Sequence, residues 1–151
     1  MTGPVLLVSS QGGHLAQLLV LRSWWEEHDR VWVCPDTPDV RDRLADEHVV
    51  TSYSPTTRNV VNLVRNAALA VRTLRRHRPS LVVSTGAGVA VPFFVAARAM
   101  GIPTAFIEVY DRVDSPTLTG RLCGPFTTRR IVQWDQQLDF YPDAHLVGPL
   151  L

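Results

Sequence analysis

The stretch Val5-Leu6-Leu7-Val8-Ser9-Ser10-Gln11-Gly12-Gly13-His14-Leu15 constrains the fold more than any other part of the chain. Its four-residue apolar run reads as a buried parallel strand, its small residues and glycine pair as a tight turn, and Leu15-Ala16-Gln17-Leu18-Leu19 as the helix that follows. In such a unit the turn's N–H groups and the positive helix N-terminus face one crevice, and glycine lets an anion approach with no Cβ in its way. The plainer alternative is a β–α turn that needs glycine only for its dihedrals, with His14 as a helix-start residue.

The pattern returns later. Leu81-Val82-Val83-Ser84-Thr85 runs into Gly86-Ala87-Gly88 and then an apolar helix from Val89 to Met100, closed by Gly101 and Pro103. Between the two units, the first helix runs on to Glu26-Glu27-His28, Arg30 to Cys34 reads as a strand, Val40 to Asp46 as a short polar helix and His48 to Tyr53 as an edge strand. A long helix from Asn59 to His77 carries Val60, Val61, Leu63, Val64, Ala67, Ala68, Val71 and Leu74 at helical spacing. Further on, Thr104 to Glu108, Arg130 to Trp134 and His145 to Val147 read as strands, with a loop and helix over Ser115 to Phe126. Strands alternating with helices predict an α/β fold: a Rossmann-like, doubly wound parallel sheet with all 151 residues in a single domain.

Several classes fall away. A net charge of +1 makes no case for nucleic acid. The two cysteines, Cys34 and Cys123, have neither metal nor redox spacing and suit a reducing compartment; no metal and no cofactor is expected. Neither end reads as a targeting segment and no apolar run approaches the ~20 residues of a spanning helix, so a cytoplasmic protein is expected, with a place on a membrane surface left open. A Walker lysine, a G-x-S-x-G elbow and an H-E-x-x-H pair are all missing, and the first turn lacks the third glycine of G-x-G-x-x-G. A flavodoxin-like or nicotinamide-binding domain stays open, with Asp36 where a ribose-binding acid would sit.

In doubly wound sheets ligands bind beyond the C-terminal strand ends. Four groups map there: Gly12-Gly13-His14, Thr85-Gly86-Ala87-Gly88, Glu108, and Gln133-Trp134. Two glycine turns suit a diphosphate better than a single phosphate, since two sets of donors share its charge. Glu108 follows Ala105-Phe106-Ile107, where a partly desolvated carboxylate suits general-base work; otherwise it caps the next loop or pairs with Arg112. His14 serves as a base or, protonated, holds phosphate. Trp134 reads as packing or, less readily, a stacking platform. On the long helix Arg58, Arg65 and Arg72 recur every seven residues, and Arg75, Arg76 and Arg78 thicken its end. A basic stripe beside an apolar one suits anionic lipid headgroups; it is also what a solvated helix face looks like.

Taken together, Gly12-Gly13-His14-Leu15, the run from Arg78 to Ala87, Gly101-Ile102-Pro103 ahead of Phe106-Ile107-Glu108, Ser115 to Gly120, and Val132-Gln133-Trp134 resemble a family of split glycosyltransferases. These are bacterial exopolysaccharide subunits of the PssD type, similar to the acceptor-side, membrane-recruiting subunit of the eukaryotic transferase that makes dolichol-linked chitobiose. The resemblance implies the N-terminal, acceptor half of a GT-B enzyme, with a separate donor-binding glycosyltransferase subunit as partner. It implies inverting transfer from a nucleotide diphosphate sugar, UDP-linked, to a lipid-linked saccharide acceptor, at a membrane surface on the inner face of the plasma membrane. By the same resemblance Glu108 is base or acceptor-hydroxyl ligand, and His14, Gly12 and Gly13 contact diphosphate, the reverse choice of base staying open. Thr85, Gly86, Gly88, Arg112, Ser115 and Thr117 join the substrate site, with Gln133 and Trp134 beside it. The rival reading is a silent scaffold that docks a transferase to the membrane.

Overall fold

Short strands, the central ones buried on both faces, are stacked side by side in the computed structural model, which describes residues 2–151. The strands are β1 (Val5–Val8), β2 (Arg30–Pro35), β3 (Val49–Ser52), β4 (Leu81–Ser84), β5 (Thr104–Ile107), β6 (Arg129–Val132) and β7 (His145–Leu146). All pairings are parallel, in the order β3-β2-β1-β4-β5-β6-β7. The sheet therefore winds outward in both directions from β1, and the switch point falls between β1 and β4, where both glycine turns emerge. This is the doubly wound α/β fold that the alternation predicts.

The helices are α1 (Gly13–Val20), α2 (Arg22–Trp25), α3 (Pro38–Arg43), α4 (Val60–His77), α5 (Ala90–Ala99) and α6 (Leu118–Cys123). On one sheet face Leu6, Val8, Val82 and Phe106 pack against Leu74 of α4 and Phe93 and Phe94 of α5. On the other, Leu7, Val83 and Ile107 meet Leu15 and Leu18 of α1. Each such side chain contributes about 1.5–3 kcal/mol by leaving water. The first helix is not continuous as the sequence predicts. It breaks at Leu21, and the Trp25 indole donates to the Leu18 carbonyl across the break at 2.9 Å.

α4 departs most from expectation. Of the eight apolar positions at helical spacing only Leu74 is buried, while Val60, Val61 and Val64 are 72%, 61% and 63% exposed. The inward face of the first turns belongs to Asn62 and Asn66. Asn66 accepts from the Tyr53 N–H at 2.9 Å and donates to the Tyr53 carbonyl at 3.0 Å, and Asn62 donates to the Pro55 carbonyl at 2.9 Å. Backbone of the incoming loop lies against the helix and needs partners that valine lacks, so amides take the inside and valines the outside. Arg58 lies ahead of the Asn59 cap in a left-handed conformation (φ 51°), so the heptad on the helix proper reduces to Arg65 and Arg72. Among the described residues no helix is long and apolar enough to cross a membrane.

Candidate active site

The two glycine turns are clasped together. Thr85, buried at the end of β4, donates through Oγ1 to the His14 carbonyl at 2.6 Å, and its own carbonyl lies 3.0 Å from His14 Nδ1. A carbonyl only accepts, so Nδ1 carries a proton, and in the neutral ring the lone pair then falls on Nε2. The imidazole lies over Gly86 (φ 116°), where a Cβ would stand 3.2 Å from the ring. Glycine there serves close approach as well as backbone conformation.

His14 opens onto a cleft of about 370 Å³ walled also by Gly13, Gln17, Tyr110, Arg112 and Thr117. The other expected site residues lie outside that wall. The Gly12 N–H is engaged, donating to Asp39 Oδ2 at 3.0 Å, while Asp39 Oδ1 pairs with Arg43 at 2.7 Å. Gly88 is pressed against Thr56, whose side chain would sit 2.9 Å from an added Cβ. Ser115 is half-buried in the loop ahead of α6.

Glu108 is buried more completely than the sequence implies, with 0% exposure. Its carboxylate accepts from the Tyr141 hydroxyl at 2.7 Å, the Thr117 hydroxyl at 2.9 Å, and the N–H groups of Val109 and Thr117 at 3.1 and 3.3 Å. Loop capping, not pairing with Arg112, is what the carboxylate does here: Thr117 is the N-cap of α6, its Oγ1 accepting from the Gly120 N–H at 3.0 Å. Gly120 is obligatory, since a Cβ would stand 2.5 Å from Glu108 Oε2. Burial, then the bond to Glu108, pushes the Tyr141 hydroxyl well above the ordinary phenol range. Arg130 stacks on the Tyr141 ring at 3.9 Å and donates to the Gly120 carbonyl at 3.2 Å.

Three buried glutamines hold the opposite wall. Gln133 Nε2 donates to Gln17 Oε1 at 2.7 Å and to the Glu108 carbonyl at 2.9 Å. Gln137 Nε2 donates to the Val109 and Arg112 carbonyls at 3.0 and 2.9 Å, and its Oε1 accepts from the Gln133 N–H at 2.7 Å. The Trp134 indole donates to the Tyr110 carbonyl, which ties the half-buried ring to the wall by its edge. Sequence reasoning singles out Gln133 and Trp134 but misses Gln17, Gln137 and Tyr141. The available signals were a glutamine set between Leu15 and Leu18 on an apolar helix, and a second glutamine four residues after Gln133.

The fold is that of one half of a GT-B glycosyltransferase. MurG of Acinetobacter baumannii superposes with a TM-score of 0.72 at 18% identity over 87% of this chain and 42% of that one. The model of the family "Oligosaccharide biosynthesis protein Alg14 like" matches residues 43–150, and the chain belongs to that family. It is 29% identical to the UDP-N-acetylglucosamine transferase subunit ALG14 of Yarrowia lipolytica, over 95% of this chain and 66% of that protein. It is 34% identical to the UDP-N-acetylglucosamine–N-acetylmuramyl-(pentapeptide) pyrophosphoryl-undecaprenol N-acetylglucosamine transferase of Parasynechococcus marenigrum, over 82% of this chain and 38% of that enzyme. The chain thus spans under two thirds of either relative's length.

Proposed function

We propose that this chain is the acceptor-side subunit of a two-component inverting glycosyltransferase. It moves a sugar from a UDP-linked donor, held by a separate subunit, to a hydroxyl of a lipid-diphosphate-linked saccharide in polysaccharide synthesis. The observation that carries the reading is the His14–Thr85 clasp, which fixes the imidazole and leaves Nε2 free at the cleft. Nε2 takes the acceptor proton as the hydroxyl oxygen attacks the anomeric carbon and the nucleotide diphosphate leaves with the bonding pair. Arg112, exposed on the cleft wall, supplies positive charge for a diphosphate, and the Gly13 turn offers its backbone. Glu108 is a positioning residue in this scheme, because its oxygens are engaged in holding Thr117.

The outward apolar face of α4, with Arg65, Arg72, Arg75 and Arg76 exposed around it, supports a peripheral site on an anionic membrane, the inner face of the plasma membrane. A purely docking role accounts for that helix but leaves the oriented imidazole without a use. The test is sugar transfer to lipid-linked acceptor by this chain together with its donor-binding partner. His14→Ala lowers turnover by about 10²–10⁴ with the complex still assembled. Full activity in that variant removes the catalytic reading and leaves the scaffold.

A further inference from the structure

The sheet edge at β3 holds a second cluster that the cleft chemistry does not use. Where the strand enters from His48 and the last turns of α4 cross it, a cavity of about 180 Å³ is lined by His48, His77, Arg72 and Arg76, with Leu69 and Thr73 among its buried walls. The two imidazoles meet edge to face at 5.3 Å. No aspartate or glutamate lines the cavity. Among the described residues neither arginine is in an ion pair, and with His48, Arg72 and Arg76 exposed and His77 half-buried their nitrogens are open to solvent. Two guanidinium charges beside two imidazoles, with no carboxylate lining the cavity, make the local potential positive, and a site so built gains by taking up an anion. Burial, then His48, then Arg76, holds the His77 imidazole below its ordinary range, as uncompensated cationic surroundings require.

Size and setting narrow the ligand. The cavity is smaller than the roughly 300 Å³ at which pockets for drug-sized molecules begin, so it admits a phosphate group and not a nucleotide. Guanidinium forks and imidazole N–H groups match phosphate oxygens. Arg72 and Arg76 also border an open apolar depression over Ala68 and Val71, continuous along α4 with the exposed Leu63 and Val64. A charged cavity opening beside an apolar surface is the shape of a headgroup seat next to acyl chains.

We propose that the His48–His77–Arg72–Arg76 cavity binds the phosphate of an anionic phospholipid headgroup while the outer face of α4 lies against the bilayer. This rests on the membrane-facing reading of α4 and adds to it a discrete site, where a diffuse basic stripe has none. Free inorganic phosphate shares the chemistry, so the experiment separates the two. The full chain is sedimented with vesicles of phosphatidylcholine alone and of phosphatidylcholine with phosphatidylglycerol. In parallel, the His48 and His77 ring resonances are followed against short-chain phosphatidylglycerol and against inorganic phosphate. Binding to the phosphatidylglycerol vesicles falls at least about tenfold in Arg72→Gln/Arg76→Gln, and both rings shift at lower concentration with the lipid than with phosphate. Arg121→Gln/Arg129→Gln, which removes equal charge elsewhere, leaves vesicle binding within about twofold. Equal losses in the two double variants reduce the site to diffuse attraction and overturn it. Ring shifts with inorganic phosphate alone overturn the lipid assignment. If Val61→Asp/Val64→Asp abolishes vesicle binding while Arg72→Gln/Arg76→Gln does not, the membrane reading stands and the headgroup site falls. If the wild type binds no vesicles, both fall.

Discussion

The cleft and the outer face of α4 treat polar groups in opposite ways. Around the cleft, Glu108, Gln17, Gln133 and Gln137 are buried and hydrogen-bonded, and among the described residues no buried side-chain nitrogen or oxygen lacks a partner. On α4 the amides are inside and valines outside, with Arg72, Arg75 and Arg76 in no ion pair among the described residues. A satisfied buried network fixes one geometry, which is what a reacting site needs. An apolar face ringed by unpaired cations is costly in water and gains from a surface of the opposite charge. On the proposed function, the contrast separates a place that positions atoms from one that a membrane covers.

The largest effect comes from cutting the network. Glu108→Ala leaves the Tyr141 hydroxyl, the Thr117 hydroxyl and two N–H groups without their acceptor. Orphaned buried donors cost about 1–3 kcal/mol each where water cannot replace the acceptor. Four such donors together cost at least about 4 kcal/mol, which lowers Tm by roughly 8–16 °C for a chain of this size, read by calorimetry. Gly120→Ala forces the same cluster apart and falls in the same range. A Glu108→Ala melt within a degree of wild type means the knot does not hold the wall. Gly86→Ala comes next. It puts a side chain at φ 116° and pushes on the His14 ring, for a cost of about 1–3 kcal/mol together with lost turnover.

The same contrast explains what was legible in the sequence. Strand–glycine–helix units at β1 and β4 and the apolar run at β5 announced the sheet, because a strand buried on both faces leaves a plain trace in composition. His14, Gly86 and Thr85 were legible as a group, since strand ends flanking a switch point must lie together. α4 misled because periodicity reports that a helix has an apolar side, not which way that side faces. Only the demand of the Tyr53 and Pro55 backbone for partners turns Asn62 and Asn66 inward, and that demand lies in tertiary packing. Gln137 and Tyr141 escaped for a like reason: their partners stand 28 and 33 residues away in the chain.

A smaller effect sharpens the other side of the comparison. Val61→Asp/Val64→Asp changes two exposed positions, 61% and 63% open, so chemical denaturation moves within about ±0.5 kcal/mol. Vesicle binding is lost in the same protein. A destabilised variant means instead that the valines pack on something within the chain, and the outer face is then core by another name.

The smallest effect is one of pH, and it tests whether the setting of His77 on α4 disfavours its protonated form. His77 is held below the unfolded histidine value, first by burial and then by His48 and Arg76. The folded state therefore refuses a proton that the unfolded chain accepts near pH 6.5. Its contribution to stability is fully present above that value, declines as pH falls through it, and levels off once pH is below the folded value. Urea midpoints for wild type thus drop between pH 8 and pH 5 by more than those of His77→Gln, which has no such proton to refuse. An anion seated between Arg72, Arg76 and the imidazoles favours protonated His77, so short-chain phosphatidylglycerol flattens the wild-type pH dependence and leaves the variant's unchanged. If the two proteins lose stability in parallel from pH 8 to pH 5, neither burial nor the neighbouring His48 and Arg76 holds His77 low in the folded state.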